Sequence, residues 1–152
     1  MFCLIRLVIY FSILYATNAC KCGPKSNFTQ AFCEADWISH VSVTSNDTTD
    51  DGHWLRYGVK HIEVFKSSID PLPVFVLTPP SSATCGITDL VNNNEYLMAG
   101  TVANGNELHI YSCLYIPIKD GEFNDEIGAL QWKKVPTAIQ QKLSSANNST
   151  CT

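Results

Sequence analysis

The spacing of hydrophobic and polar residues changes several times along the chain, and each change predicts a different element. The first 19 residues are almost continuously apolar, with 15 hydrophobic residues among them. Beyond this segment, apolar residues that alternate with polar ones predict strands, whereas apolar residues three or four positions apart predict amphipathic helices. The pattern therefore separates an apolar leader from a small domain of short strands and two helices.

Alternation predicts about five strands. The apolar residues occupy odd positions at Leu55, Tyr57 and Val59 but even positions at Ile62 and Val64. We therefore expect one long strand with a bulge at Lys60-His61, where the alternation shifts by one residue. A polar loop precedes this strand, and an Asn-Gly-Asn turn joins the last two strands as a hairpin. The predicted strands are residues 37–43, 55–64, 74–77, 96–103 and 108–116, with the turn at 104–106 and the polar loop at 45–51.

Two helices flank the strands. Phe28 and Phe32 stand at i,i+4 in a helix over 27–35, which Ser26 or Asn27 would cap. A C-terminal helix is expected over 136–145. This mainly β chain fits an OB-fold-like five-stranded β-barrel with peripheral helices. A β-sandwich is the alternative, because the strand count fits both.

The apolar leader is typical of a secretory signal peptide. A short apolar core is followed by Thr17 and Ala19 at the −3 and −1 positions of a cleavage site. A membrane anchor is disfavoured because this core is shorter than the ~20 residues of a transmembrane helix. We therefore expect a signal peptide over 1–19 and one secreted, extracellular domain over 20–152, beginning at Cys20.

Charge and cysteine content narrow the class of protein. The chain of 152 residues carries 10 basic and 14 acidic residues, a net charge of −4, without a basic run. We therefore expect no nucleic-acid partner. Because no second hydrophobic span follows the leader, we also expect no membrane span in the mature protein, and we expect a monomer. Of seven cysteines, one lies in the leader, and the other six predict three disulfides with 15 possible connectivities. Glycosylation sequons begin at Asn27, Asn46, Asn147 and Asn148.

No constellation of residues predicts catalysis. The four histidines, His40, His53, His61 and His109, are scattered and form no metal-binding spacing. The sequence contains no nucleophile motif or nucleotide-binding fingerprint, and disulfide formation leaves no free thiol. We therefore expect neither an enzyme nor a cofactor of its own.

Six short motifs follow one another along the chain after the leader. They are Cys20-Lys21-Cys22, Phe28-Thr29-Gln30-Ala31-Phe32-Cys33, Arg56-Tyr57-Gly58-Val59-Lys60, Cys85-Gly86, Tyr96-Leu97-Met98-Ala99-Gly100 and Leu108-His109-Ile110-Tyr111-Ser112-Cys113. Together they resemble the tissue inhibitors of metalloproteinases, in the single inhibitory, netrin-like domain form. The resemblance covers the chain from Cys20 to about Ile116 and, more loosely, to Cys151. The family's inhibitory domain is an OB-type barrel, in agreement with the strand pattern.

The resemblance implies a set of disulfides and a mode of inhibition. The α-amino nitrogen and carbonyl oxygen of Cys20 would chelate the catalytic zinc of a matrix-metalloproteinase-type protease, with Lys21 in the adjacent specificity pocket. The implied disulfides are Cys20–Cys85, Cys22–Cys113 and Cys33–Cys151, and the further protease-contacting residues are Cys22, Gly23, Pro24, Ala83, Thr84, Cys85 and Gly86. In the alternatives, the Cys-x-Cys segment only anchors the terminus, or the domain is a non-inhibitory module that binds a receptor or an extracellular-matrix protein.

Three features depart from the family pattern. The family usually has Thr or Ser where this chain has Lys21, and a long cation suits an acidic or water-filled pocket better than an apolar one. One additional residue separates Cys22 from Cys33. The sequence ends shortly after Cys151, without the family's second, six-cysteine domain, so proenzyme binding through that domain is not expected.

Overall fold

The computed structural model describes residues 20–23, 25, 27–49, 52–120 and 128–151. The predicted signal peptide and Pro24 lie outside these residues. None of the described helices is long and apolar enough to cross a membrane. The strands are β1 (Trp37–Thr48), β2 (Leu55–Lys66), β3 (Phe75–Thr78), β4 (Glu95–Ala103), β5 (Glu107–His109) and β6 (Leu130–Gln131), and the helices are α1 (Phe28–Glu34) and α2 (Thr137–Ser145), with short 3-10 turns at Ser82–Thr84, Trp132–Lys134 and Asn148–Cys151.

The sheet closes into a five-stranded barrel. Its strand order is β1-β2-β3-β5-β4, and β4 also pairs with β1, which closes the barrel. The two-residue β6 pairs with β4 on the side opposite β1. Neighbouring strands are antiparallel except for β3 and β5, which run parallel. The predicted mainly β, OB-like barrel is confirmed, and closure excludes the sandwich.

Bulges bend the long β1–β2 pair around the barrel. Val41 pairs with His61 but its neighbour His40 pairs with Glu63, so Ile62 is an extra residue in β2. The predicted bulge therefore lies next to its expected position. Two further register shifts, between Ile38/Ser39 and Val43/Ser45, add to the curvature that a closed sheet of so few strands needs.

Two hydrophobic cores lie on opposite faces of the barrel wall. One fills the interior, with Trp37, Tyr57 and Met98 among its members. The other lies between the wall and the helices, where Phe32 of α1 and Leu143 of α2 are buried. Successive residues of β4 alternate between the two cores, which explains why this strand is continuously apolar rather than alternating.

Both helices are confirmed, with α1 capped by Asn27, whose Oδ1 accepts the Gln30 N–H at 2.9 Å. Two other boundaries were wrong. Strand β1 continues to Thr48 through half of the predicted polar loop, because this part of the β1–β2 hairpin is paired along its backbone while its side chains are exposed. Strand β5 ends at His109, because the chain turns away from the sheet near Cys113.

Replacing Gly100 by alanine is expected to destabilise the barrel. A β-carbon at this position would overlap the His109 carbonyl oxygen and the Trp37 indole nitrogen, both of which are fixed in the core. We expect the free energy of unfolding to fall by about 3 kcal/mol, as for other overpacked core sites. Denaturant unfolding with the disulfides intact measures this change.

The matched control is Gly23→Ala, since no described atom other than those of its chain neighbours lies within 4 Å of a β-carbon there. The free energy of unfolding of this variant should lie within about 0.5 kcal/mol of the wild-type value. Equal stability of the two variants would contradict the packing argument for Gly100.

Candidate functional site

Two neighbouring disulfides hold the N-terminal segment against the barrel. Cys20 is bonded to Cys85 and Cys22 to Cys113, each with a Cα–Cα distance of 5.0 Å. The Cys20 Sγ lies 3.5 Å from the Cys113 Sγ and 3.9 Å from the Cys22 Sγ, so the four sulfurs form one cluster. A third disulfide, Cys33–Cys151, ties α1 to the C-terminal turn. These are the three pairs that the family resemblance implies.

The sulfur cluster is not a metal centre. The sulfurs of Cys20, Cys22 and Cys113 lie within 4.8 Å of one another, the spacing of a ligand set. Each is part of a disulfide, however, and a metal-binding cysteine must be a thiolate. Within the described part of the chain, no other group of His, Cys, Asp and Glu side chains has such spacing.

The loop around Cys85 has a tightly determined shape. Ser81 caps its 3-10 turn through a side-chain bond from the Ala83 N–H at 3.1 Å, and its carbonyl accepts the Gly86 N–H at 2.9 Å. Cys85 adopts a left-handed conformation with φ of 65°. A β-carbon on Gly86 would overlap the Pro79 carbonyl, so this turn requires glycine.

Ser112 links the two disulfides through the main chain. Its N–H donates to the Cys85 carbonyl at 2.9 Å, and its hydroxyl lies 3.2 Å from both the Cys85 and the Gly86 carbonyl oxygens, which share its one proton. The next residue, Cys113, carries the second disulfide. Ser112 therefore fixes the loop that holds Cys20 relative to the residue that holds Cys22.

The chain that follows Gly23 is anchored separately. The Lys25 N–H donates to the hydroxyl of the buried Tyr115 at 3.4 Å. Its ammonium group forms an ion pair with Glu34 of α1, and this hydrogen bond lowers the pKa of the Glu34 carboxyl. The direction of the N-terminal segment is thus fixed at both of its ends.

The structure brings together the two segments that the resemblance assigns to the site. We define the two-segment surface as residues Cys20–Gly23 and Ser81–Gly86. On it, Lys21, Gly23, Ala83 and Thr84 are exposed, Cys20, Cys22 and Cys85 are half-buried, and Gly86 is buried. The roles of Ser112 and Tyr115 could not be predicted from the sequence, because no local pattern shows which main-chain groups their side chains contact.

The two-segment surface is electrostatically simple. Lys21 is its single charged side chain, and the surface has no acidic residue. Nearby, the hydroxyl of Tyr111 lies 3.3 Å from His109 Nδ1, and burial raises the pKa of this phenol, so it stays neutral at physiological pH. The surface therefore presents main-chain groups, small side chains and one cation.

Three of the histidines make structural contacts. His40 stacks on Trp132 at 3.8 Å between ring centroids and lies 2.8 Å from a Glu95 carboxylate oxygen. His61 contacts the Ser39 hydroxyl and the Pro73 carbonyl, each at 3.0 Å. Asn104 and His109 both bond to Glu107, and these hydrogen bonds lower the pKa of its carboxyl.

The sequon asparagines lie at different places in the fold. Asn27 is exposed at the N-terminus of α1, Asn46 is exposed on β1, and Asn147 is exposed after α2. Asn148 begins the 3-10 turn that ends at Cys151. Glycosylation at these positions stays a prediction.

Fold and site together define a disulfide-anchored OB-type barrel whose N-terminal segment is held beside a rigid loop. The protein-family model described as "Tissue inhibitor of metalloproteinase" matches residues 18–151 of this chain. The chain therefore belongs to this family. The chain is 34% identical to "Putative metalloproteinase inhibitor tag-225" of Caenorhabditis elegans, over 93% of this chain and 95% of that protein.

The mammalian relatives are longer. The chain is 32% identical to human metalloproteinase inhibitor 2, over 72% of this chain and 53% of the human protein. It is 31% identical to the bovine inhibitor 2, over 76% of this chain and 54% of that protein. The chain thus spans about half the length of these relatives. All three relatives are named as inhibitors, in agreement with the expectation that this chain is not an enzyme.

Ser112→Ala is expected to loosen the Cys85 loop without unfolding the barrel. Removing the hydroxyl deletes its bonds to the Cys85 and Gly86 carbonyls, so we expect the Gly86 amide to exchange its hydrogen about tenfold faster, because each such bond contributes about 1 kcal/mol. Ser112→Thr retains the hydroxyl and should restore the slow exchange. Hydrogen exchange followed by NMR measures both variants.

Ser39→Ala is the matched control, because this buried hydroxyl also donates to a main-chain carbonyl, that of Glu63 at 2.8 Å, on the β1–β2 pair. It should leave the Gly86 amide unchanged relative to amides of the barrel. Slow exchange at Gly86 in Ser112→Ala would contradict the positioning role of Ser112.

Proposed function

We propose that the chain is a secreted inhibitor of zinc metalloproteinases that acts through Cys20 after removal of the signal peptide. Membership of the family and the names of its relatives support the inhibitory role. The observation that carries the proposal is the fixation of Cys20 and Cys22 by adjacent disulfides, which leaves the segment between them exposed beside the Cys85 loop.

The chemistry depends on a free N-terminus. Cleavage after Ala19 gives Cys20 an α-amino group, whose pKa of about 8 makes deprotonation inexpensive near neutral pH. The neutral nitrogen and the Cys20 carbonyl oxygen then form a five-membered chelate with the catalytic zinc of the target. They occupy the position at which the protease would activate water. The zinc belongs to the target, and the inhibitor needs no cofactor of its own.

The remaining contacts are those that the family resemblance implies for the two-segment surface and the residue that follows it in the chain. Lys21 enters the specificity pocket beside the zinc, while Gly23 and Pro24 continue along the cleft. Ala83, Thr84 and Gly86 contact its opposite side. Because disulfides already fix Cys20, Cys22 and Cys85, little conformational entropy is lost when the surface docks.

Secretion is consistent with the disulfides. Three disulfides form and persist in an oxidising compartment. We therefore place the mature protein outside the cell, as a monomer, with matrix-metalloproteinase-type enzymes as its partners.

The proposed mechanism predicts that one additional N-terminal residue abolishes inhibition. The mature protein, with Cys20 verified as its first residue by mass spectrometry, should titrate at least one member of a panel of zinc metalloproteinases. An alanine added before Cys20 converts the amine into an amide that cannot bind zinc, and the inhibition constant should rise at least about 100-fold, a loss of about 2.7 kcal/mol. Hydrolysis of a fluorogenic peptide measures inhibition.

The control carries the additional alanine after Thr152 and should inhibit like the wild type. Carbamylation of the amine should reproduce the effect of the N-terminal alanine. Equal potency of the N-terminally extended form would rule out chelation. If the mature protein inhibits no enzyme of the panel, the non-inhibitory binding module becomes the better explanation.

A further inference from the structure

Lys21 occupies a constrained position. Cys20 and Cys22 are bonded to the barrel through Cys85 and Cys113, their sulfurs lie 3.9 Å apart, and Lys21 between them is exposed. Disulfides on both neighbours prevent the main chain at Lys21 from shifting to relieve an unfavourable contact. The Lys21 side chain therefore meets whatever surface binds this segment.

The described residues supply no counter-charge to Lys21. None of the described carboxylates forms an ion pair with it, whereas the nearby Lys25 is paired with Glu34. The rest of the two-segment surface is uncharged, although the whole chain has a net charge of −4. Lys21 is thus an isolated cation at the centre of a neutral surface.

Docking in a closed pocket would remove the Lys21 ammonium group from water. An isolated ammonium buried without a partner is strongly disfavoured, whereas one that meets a carboxylate and keeps its hydrogen bonds is tolerated. In a pocket open to solvent the ammonium group would keep its water. In a closed pocket, because the described residues around Lys21 are uncharged, the compensating charge has to come from the bound protein.

The proposed chelate also indicates which pocket is involved. If the Cys20 carbonyl binds the zinc, it takes the place of the scissile carbonyl of a substrate. Lys21 then takes the place of the residue that follows the scissile bond. The pocket in question is therefore the one that selects the residue on the carboxyl side of the cleaved bond.

Resting on the proposed function, we propose that the target of this inhibitor is a zinc metalloproteinase whose pocket for that residue contains a carboxylate, an enzyme that cleaves before lysine. The same ammonium group excludes enzymes with an apolar pocket, because it would be left unpaired there. Lys21 is the residue that determines this selectivity.

The test compares two zinc endopeptidases: one cleaves before lysine and has an acidic pocket, and the other cleaves before leucine and has an apolar pocket. The wild-type mature protein should inhibit the lysine-directed enzyme at least about 100-fold more tightly. In Lys21→Met, which keeps the length but loses the charge, binding to the lysine-directed enzyme should weaken about 100-fold. Binding to the leucine-directed enzyme should tighten at least about tenfold.

Lys60→Met is the matched control, because Lys60 is exposed on β2 and its loss changes the net charge equally. It should alter neither inhibition constant by more than about twofold. The proposal is overturned if Lys21→Met inhibits the lysine-directed enzyme as tightly as the wild type, or if the wild type inhibits the leucine-directed enzyme as tightly as Lys21→Met. If wild type, Lys21→Met and Lys60→Met leave both enzymes active, the proposed inhibitory function itself fails.

Discussion

The covalent attachment of residues 20–23 to two separate points of the barrel is the constraint on which the rest of the site depends. The disulfides join residues 65 and 91 positions apart in the chain. Loops of this length lower the entropy of the unfolded chain, which raises the free energy of unfolding by about 4 kcal/mol for each disulfide. Their local effect is more specific. They hold a four-residue segment without regular secondary structure in one position, while Lys21 and Gly23 within it stay exposed.

The barrel topology explains why both attachment points lie at one place. Strands β3 and β5 are parallel neighbours, so their carboxyl ends lie at the same edge of the sheet. The chain that leaves β3 reaches Cys85, and the chain that leaves β5 reaches Cys113. The Ile110 N–H still donates to the Leu77 carbonyl, and the Ser112 N–H to that of Cys85, so the two exits run side by side. The parallel pairing of β3 and β5 thereby brings the two attachment points of the N-terminal segment together.

The local spacing of apolar and turn residues in the sequence was sufficient to predict those elements whose formation depends on neighbouring residues. The two helices, the turn at 104–106 and the bulge near Ile62 follow from apolar spacing and turn residues. Barrel closure could not be predicted in this way, because the β1–β4 pairing joins segments about 60 residues apart. The alternation over 110–116 misled for a related reason. Ile110 lies just beyond the end of β5 and Ile116 lies after the turn that the Leu114 N–H closes on the Tyr111 carbonyl, so both are buried without belonging to one continuous strand. Motif resemblance supplied the disulfide pairs, which spacing alone left open.

Under the proposed function, the two roles of the N-terminal segment are chemically independent. The zinc ligands are main-chain atoms of Cys20, whose side chain serves for attachment, so the chelate is the same whichever residue follows it. Selectivity then depends on the side chain at position 21, which lies between two fixed neighbours and contacts little of its own protein. A substitution there changes which pocket is acceptable without disturbing the fold or the ligand atoms. Under this proposal, the lysine at position 21 indicates which kind of pocket the target enzyme has. It does not indicate that the chain has lost its inhibitory function.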